Sequence, residues 1–165
     1  MELLTAARRY LLEWPDTASL VQQRVYKERL GVVLDGTGLS AIVLTQGAGW
    51  ASPDRVQSIE FPRLVVDCIA DPQRDPTGAI TVLDAEDKAR ALTRAVMPAF
   101  TFPRLRGERI GGFGSRPGLL IVSSQMWAGP RPLRAGDYHT NAERQAAGDT
   151  VLVRTEYALE VAHDG

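Results

Sequence analysis

The first apolar residues of the chain recur at helical spacing and predict an N-terminal amphipathic helix. They share one stripe at intervals of about 3.6 residues, and they are Leu3, Ala7, Tyr10, Leu11 and Trp14. Pro15 is expected to end this helix, because proline disfavours the helical conformation of the residue before it. Asp16 is then expected to cap a short second turn through Leu20 and Val21.

Two apolar segments in the first half of the chain predict β-strands. The shorter segment spans residues 41–45 between Gly38 and Gly47. The longer one spans Phe61–Ala70, with Pro62 near its start, where a missing N–H does least damage. Alternation places Leu64, Val66 and Cys68 on one face, and the opposite face carries Arg63, Val65, Asp67 and Ile69. Because charges recur on that second face, we expect it to meet solvent or another subunit.

The strongest helical pattern follows Thr81, which with Asp84 resembles a capping box that has Asp in place of Glu. Its apolar seam steps by three and four residues and consists of Val82, Ala85, Ala89, Leu92 and Val96. Pro98 is expected to end this helix.

The second half predicts two further strands and two long loops. One strand spans Leu119–Trp127, and the other alternates clearly through Val151–Val161. The loops are Thr101–Gly118 and Ala128–Asp149, and a capping box predicts a short helix within the second, over Thr140–Ala147.

This order of elements favours the α+β class. We predict a single domain over residues 1–165, with an antiparallel or mixed sheet of four or more strands packed on one face by two helices, and with long loops. Loops of about twenty residues are unusual in a compact domain and tend to be functional or ordered by a partner.

Composition and charge narrow the function classes. The chain has 165 residues, 44% of them hydrophobic, and a formal net charge of −1. A charge balance of this kind argues against a general nucleic-acid binder, which usually carries a basic excess. No apolar run reaches the ~18–20 residues that would predict a membrane span, and no secretory signal is visible at the N-terminus. Cys68 is the single cysteine, which excludes an intrachain disulfide and fits synthesis in a reducing compartment.

Candidate catalytic patterns do not come together in this sequence. The glycines of Gly111–Gly118 precede a strand instead of a helix, so they do not make a phosphate-binding loop. His139 and His163 have no neighbouring His or Cys that would suggest a metal site. Cys68 lies on the apolar side of its strand, where a buried thiol is inert. We therefore predict no catalytic residues, no cofactor and no metal, and a protein that is not an enzyme.

One local concentration of cationic residues falls in the two predicted loops. It comprises Arg104, Arg106, Arg109, Arg116, Arg131 and Arg134. These side chains are either solvated loop charges or the part of the protein that faces nucleic acid or an acidic protein partner.

Several strings resemble the tail terminator proteins of long-tailed, siphovirus-type bacteriophages. They are Arg24-Val25-Tyr26, the strand Pro62–Ala70, the Ala- and Arg-rich helix Asp84–Val96 and the closing strand Arg154–Val161. The similarity spans nearly the whole chain in element order and rests on helix and strand patterns, without a catalytic signature. The two long loops depart from it, since they are longer than expected for the family.

The resemblance implies a structural virion protein that forms a homo-hexameric ring on the head-proximal end of the tail tube. Such a ring ends tube polymerisation, binds the tail tube protein and docks the tail to the head–tail connector of the neck. DNA would pass through the ring lumen without sequence-specific binding, and no membrane would be involved. Assembly would take place in the host cytoplasm.

Two other functions stay open at the level of sequence. A head–tail connector or head-completion ring protein shares the size, the oligomeric habit and the lack of an active site. A small cytoplasmic ligand-binding domain or enzyme would instead show a concave pocket with converging polar groups.

Overall fold

Three helices and five strands make up the part of the chain that the structure describes. The structure, a computed structural model, describes residues 3–28, 40–51, 59–70, 77, 82–101, 120–133 and 151–162. The elements are α1 (Leu3–Glu13), α2 (Pro15–Val21), β1 (Val25–Lys27), β2 (Ser40–Ala51), β3 (Ile59–Ala70), α3 (Val82–Phe100), β4 (Leu120–Leu133) and β5 (Val151–Ala162).

The five strands form one mixed sheet in the order β1-β2-β3-β5-β4. β1 runs parallel to β2, and every other pair is antiparallel. The long central strands β3 and β5 pair over their whole length, from Ala70 opposite Val151 to Ile59 opposite Ala162. The predicted α+β class and mixed sheet are confirmed.

The helices lie on one face of the sheet and enclose the main hydrophobic core. Tyr10 of α1, Phe100 of α3 and Tyr157 of β5 form a chain of tilted ring contacts, with centroids 6.0 Å and 5.4 Å apart. Every predicted core residue of α3 that the structure describes is buried, and Leu92 is 1% exposed. The apolar seam read from the sequence is therefore the inner side of this helix.

The helix ends differ from expectation at two positions. Pro15 starts α2 as its first residue, but the cap position is Trp14, which makes no side-chain cap hydrogen bond, so Asp16 is not the cap. Pro98 lies inside α3 and does not end it. The helix continues because Phe100 is fully buried and its carbonyl accepts a hydrogen bond from the Ser124 hydroxyl on β4. These contacts outweigh the single backbone hydrogen bond that proline removes in the last turn.

The strands are longer than the sequence indicates. β4 continues past Trp127 to Leu133, so Ala128–Leu133 belong to the sheet and not to a loop. Pro130 and Pro132 are tolerated there because β4 is the last strand in the sheet order and its pairing with β5 is irregular. The predicted Thr140–Ala147 helix and residues 102–119 lie outside the described residues.

The short strand β1 has no sequence pattern of its own. Its pairing with β2 follows from long-range contacts: the Arg8 side chain donates a hydrogen bond to the Val25 carbonyl at 2.7 Å, and the Ile42 amide donates to the Arg24 carbonyl at 2.9 Å. Three residues are too few to show an alternation.

Candidate interaction surface

The sheet has a second face, on the side opposite the helices. The register aligns its side chains in rows across the strands, with Arg63 beside Ala158 and Val65 beside Glu156. The four β3 residues singled out from the sequence, which are Arg63, Val65, Asp67 and Ile69, lie together on this face. The predicted division of β3 into two faces is confirmed, because Leu64, Val66 and Cys68 belong to the core beneath the helices.

One end of the second face is apolar and shielded from solvent. Ile69 is 9% exposed and packs with a small cluster whose other members are Val43, Leu133, Leu152 and the half-buried Tyr26. From the alternating charge on β3 we expected this face to meet solvent or another subunit. At this end the apolar side chains are covered within the chain itself, and a contact with another subunit stays a prediction. The neighbouring strands contribute the apolar side chains that β3 alone does not show.

The centre of the second face holds a buried ion pair. Arg154 donates to both carboxylate oxygens of Asp67, at 2.7 Å and 2.8 Å, and Asp67 is fully buried. The two residues are direct cross-strand partners in the β3–β5 register. A carboxylate removed from water needs such a partner, so the charge on Asp67 is paired within the chain instead of facing solvent.

The other end of the second face is exposed and carries an aromatic–cation pair. The Arg63 guanidinium lies 3.7 Å from the centroid of the Trp127 ring. Trp127 is 58% exposed, which is unusual for so large an apolar side chain. Glu156 lies at 4.0 Å from the Arg63 guanidinium and partly balances its charge. Aromatic residues and arginine are the two residue types most enriched where proteins bind one another.

A shallow groove of about 430 Å³ runs beside this pair. Its lining residues come from four strands and include Gly49, Phe61, Ser123, Gln125 and Glu160. Gly49 shapes one side, because a Cβ atom there would collide with the Phe61 carbonyl oxygen. The close approach coincides with the irregular register of β2 between Gly47 and Trp50.

Of the six arginines read as partner-facing, the structure describes one. Arg131 is exposed, and it lies on β4 opposite Arg154 instead of in a loop. The others, Arg104, Arg106, Arg109, Arg116 and Arg134, lie outside the described residues.

The cysteine and the two histidines are the remaining reactive groups that the sequence analysis considered. Cys68 is buried, and burial raises the pKa of its thiol to about 12, with a hydrogen bond to Thr93 acting in the opposite direction. His139 and His163 lie outside the described residues. Among the residues that the structure does describe, no three His, Cys, Asp or Glu side chains are placed to hold a metal ion, and no helix has the length and apolar character to cross a membrane.

Sequence reasoning missed Trp127 as a surface residue and used it only as the end of a strand. The signal was present: Ser124 and Met126 point to the helix side, so alternation puts Gln125 and Trp127 on the opposite face. The proximity of Arg63 requires the pairing of β3 with β4 through β5, which a local pattern does not contain.

Comparison with known proteins includes a structural likeness that extends over nearly the whole chain. The chain matches no family model and no curated protein. It is similar to a chain of a solved structure described as the virion of a native gene transfer agent particle. The TM-score is 0.58 at 18% sequence identity, and the match covers 97% of this chain and 94% of the other. The two chains share a fold.

Proposed function

We propose that this protein is a non-enzymatic structural virion protein, a tail terminator. In this role it forms a hexameric ring on the head-proximal end of a phage tail tube, ends tube polymerisation and docks the tail to the neck. The single observation that carries the proposal is the likeness in fold, over 97% of the chain, to a chain of a gene transfer agent virion. The resemblance of element order to tail terminators supports the finer role.

The geometry fits a protein that acts by binding. The thiol of Cys68 is enclosed in the core and is held protonated by its raised pKa. Trp127 and Arg63 line the groove, and tryptophan and arginine are residue types enriched where proteins bind one another.

A hexameric ring closes through heterologous contacts, so each subunit must present two different surfaces. The two distinct sides of the fold support this, since one is a layer of helices and the other is the second face of the sheet. Termination then requires that the ring bind the tube end without presenting a copy of the tube protein's own polymerising surface.

The decisive experiment combines a measurement of the mass of the assembly with images of it. Purified protein is analysed by light scattering and negative-stain microscopy, alone and mixed with tail tubes. We expect rings, or caps at one tube end, with a mass of six times 18.0 kDa, or 108 kDa. Tubes polymerised in the presence of the protein should be capped and should stop growing.

The other results distinguish the alternatives. Rings that ignore tube ends but bind the head vertex would replace the terminator with a head–tail connector or head-completion ring. A monomer that ignores both at high concentration would overturn the virion role and favour a ligand-binding domain or enzyme.

A further inference from the structure

We propose that adjacent subunits join through two particular surfaces: the Trp127 patch of one copy binds the α2 patch of the next. The Trp127 patch consists of Trp127, Arg63 and Gln125 on the second face of the sheet. The α2 patch consists of Asp16, Ser19 and Leu20 on the helix layer. The inference rests on the proposed function in one respect, since it assumes that the protein assembles with itself.

Exposure of large apolar side chains is the first observation. Within the described ranges, two such side chains are exposed, Trp127 at 58% and Leu20 at 47%. Leu20 extends from α2, whose inner side buries Thr17 and Val21 against the rest of the helix layer. Each patch therefore has an apolar centre that gains from removal from water.

The positions of the two patches are the second observation. One lies on the helix side of the sheet and the other on the second face, so the two sets of residues have nothing in common. A two-fold dimer would require one self-complementary surface, whereas a closed ring requires two different surfaces that fit each other. The distribution of exposed apolar residues matches the second case.

Charge complementarity is the third observation. Asp16 lies four residues before Leu20, on the same side of α2, and α2 contains no cationic residue. Across the contact, Arg63 provides a cation directly against the Trp127 ring. Its charge is only partly balanced, by Glu156 at 4.0 Å, and its side chain is 33% exposed. An acid beside an apolar residue thus meets a cation beside an aromatic ring.

Site-directed cross-linking tests the contact in the whole chain. Ser19→Cys and Gln125→Cys variants, which keep Leu20 and Trp127 in place, are mixed and treated with a short bismaleimide. The native Cys68 is buried, so it does not compete for the reagent. We expect a covalent dimer of two times 18.0 kDa, or 36 kDa, in the mixture, and a ladder of higher species when one chain carries both substitutions. Asp87→Cys, an exposed position on α3, replaces Ser19→Cys in the control mixture.

Exchanging the charges of Arg63 and Asp16 tests whether these two side chains attract each other across the contact. Arg63→Glu should raise the concentration needed for assembly, and adding Asp16→Arg to the same chain should restore it. Trp127→Ala should raise that concentration by about tenfold or more, as expected for an aromatic residue at the centre of an interface. Circular dichroism should be unchanged in every variant, because the substituted side chains are all at the surface.

Each result decides between the inference and its alternatives. Cross-linking no greater than in the Asp87→Cys control, in protein that does cap tube ends, would overturn the subunit contact and leave the proposed function standing. Rings that form through this contact but never bind tube ends would overturn the proposed function and leave the subunit contact standing. Binding of a small molecule in the groove with no effect of Trp127→Ala on assembly would assign the patch to a ligand.

Discussion

At the scale of single residues, two groups lend themselves to a test of the free energy of unfolding. The first is the ion pair between Asp67 and Arg154. Its geometry is bidentate, and Asp67 has no access to water. A buried pair of this kind contributes little net stability, because desolvation offsets most of the attraction. Removal of one partner is different, since it leaves an uncompensated charge inside the protein.

Arg154→Met should therefore lower the free energy of unfolding by about 3 kcal/mol or more. Urea denaturation monitored by circular dichroism measures the change, as a lower midpoint at unchanged slope. Asp67→Leu combined with Arg154→Met should be more stable than Arg154→Met alone. The control is Arg131→Met, an exposed cross-strand neighbour of Arg154, for which a change within about 0.5 kcal/mol is expected. Equal effects of Arg154→Met and Arg131→Met would show that the pair is unimportant.

The second buried group is the thiol of Cys68, which should make stability depend on pH in alkaline solution. Burial raises its pKa from the ordinary 9.0 to about 12. Between these values the unfolded chain loses the proton and the folded chain keeps it. The free energy of unfolding should thus be unaffected by this group below pH 9 and fall above it, by at most about 1.4 kcal/mol per pH unit. Urea midpoints of the native protein and Cys68→Ala, compared at pH 8 and pH 10, should fall less steeply in the variant. Parallel pH profiles would contradict the assignment.

At the scale of elements, the periodicity of the sequence predicted those helices and strands that bury a single face. α3 from Ala85 onward and β5 each bury one side, so their patterns were readable in the sequence. Element ends were not predictable in this way. α3 passes through Pro98 because Phe100 is anchored by Ser124, which lies 24 residues further along the chain. β4 passes Trp127 because β5 offers it a partner.

For the candidate surface, the sequence predicted which residues share a face but not which residues contact one another across strands. The alternation of β3 correctly grouped Arg63, Val65, Asp67 and Ile69 on one face. It did not reveal that Asp67 has a partner, because Arg154 is 87 residues away and only the strand register brings it near. Their use as a contact between subunits remains a prediction.

The inner face of α3 gives a prediction for this element. Leu92 is 1% exposed within the main core, so Leu92→Asp places an unpaired charge there and should abolish cooperative folding. Thermal unfolding by circular dichroism and dispersion in a proton–nitrogen correlation spectrum are the measurements. Arg94→Asp, two residues along on the exposed side, should fold normally. A well-dispersed spectrum for Leu92→Asp would show that this helix face is not core.

At the scale of the whole molecule, the two sides of the sheet differ in burial. The helix side supplies the core and therefore the stability of the subunit. The second face combines a buried centre with an exposed end, so changes at its rim can alter assembly without unfolding the chain. For the proposed assembly, a net charge of −1 means that the local arrangement of charge would select the partners, and not an overall attraction.

Reversing charge at the β4 end of this face tests that separation. Arg131 is exposed at the rim, and Arg134 follows three residues later, outside the described residues. We expect Arg131→Glu with Arg134→Glu to impair ring assembly or docking to the tube, since like charges then face an acidic partner. The fold should persist, because exposed charges rarely change stability beyond about 0.5 kcal/mol.

Assembly is measured by light scattering and tube-end imaging, and folding by thermal unfolding of the same samples. The matched control is Arg9→Glu with Arg94→Glu, which changes net charge equally at two exposed positions of the helix layer. A defect in the β4 variant alone would mean that position, and not total charge, determines binding. Normal rings and normal capping by the β4 variant would remove this rim from the contacts of the protein, and the docking surface would then have to lie elsewhere on the ring. An equal defect in both variants would instead show that assembly depends on net charge, for which the layered fold offers no specific contact.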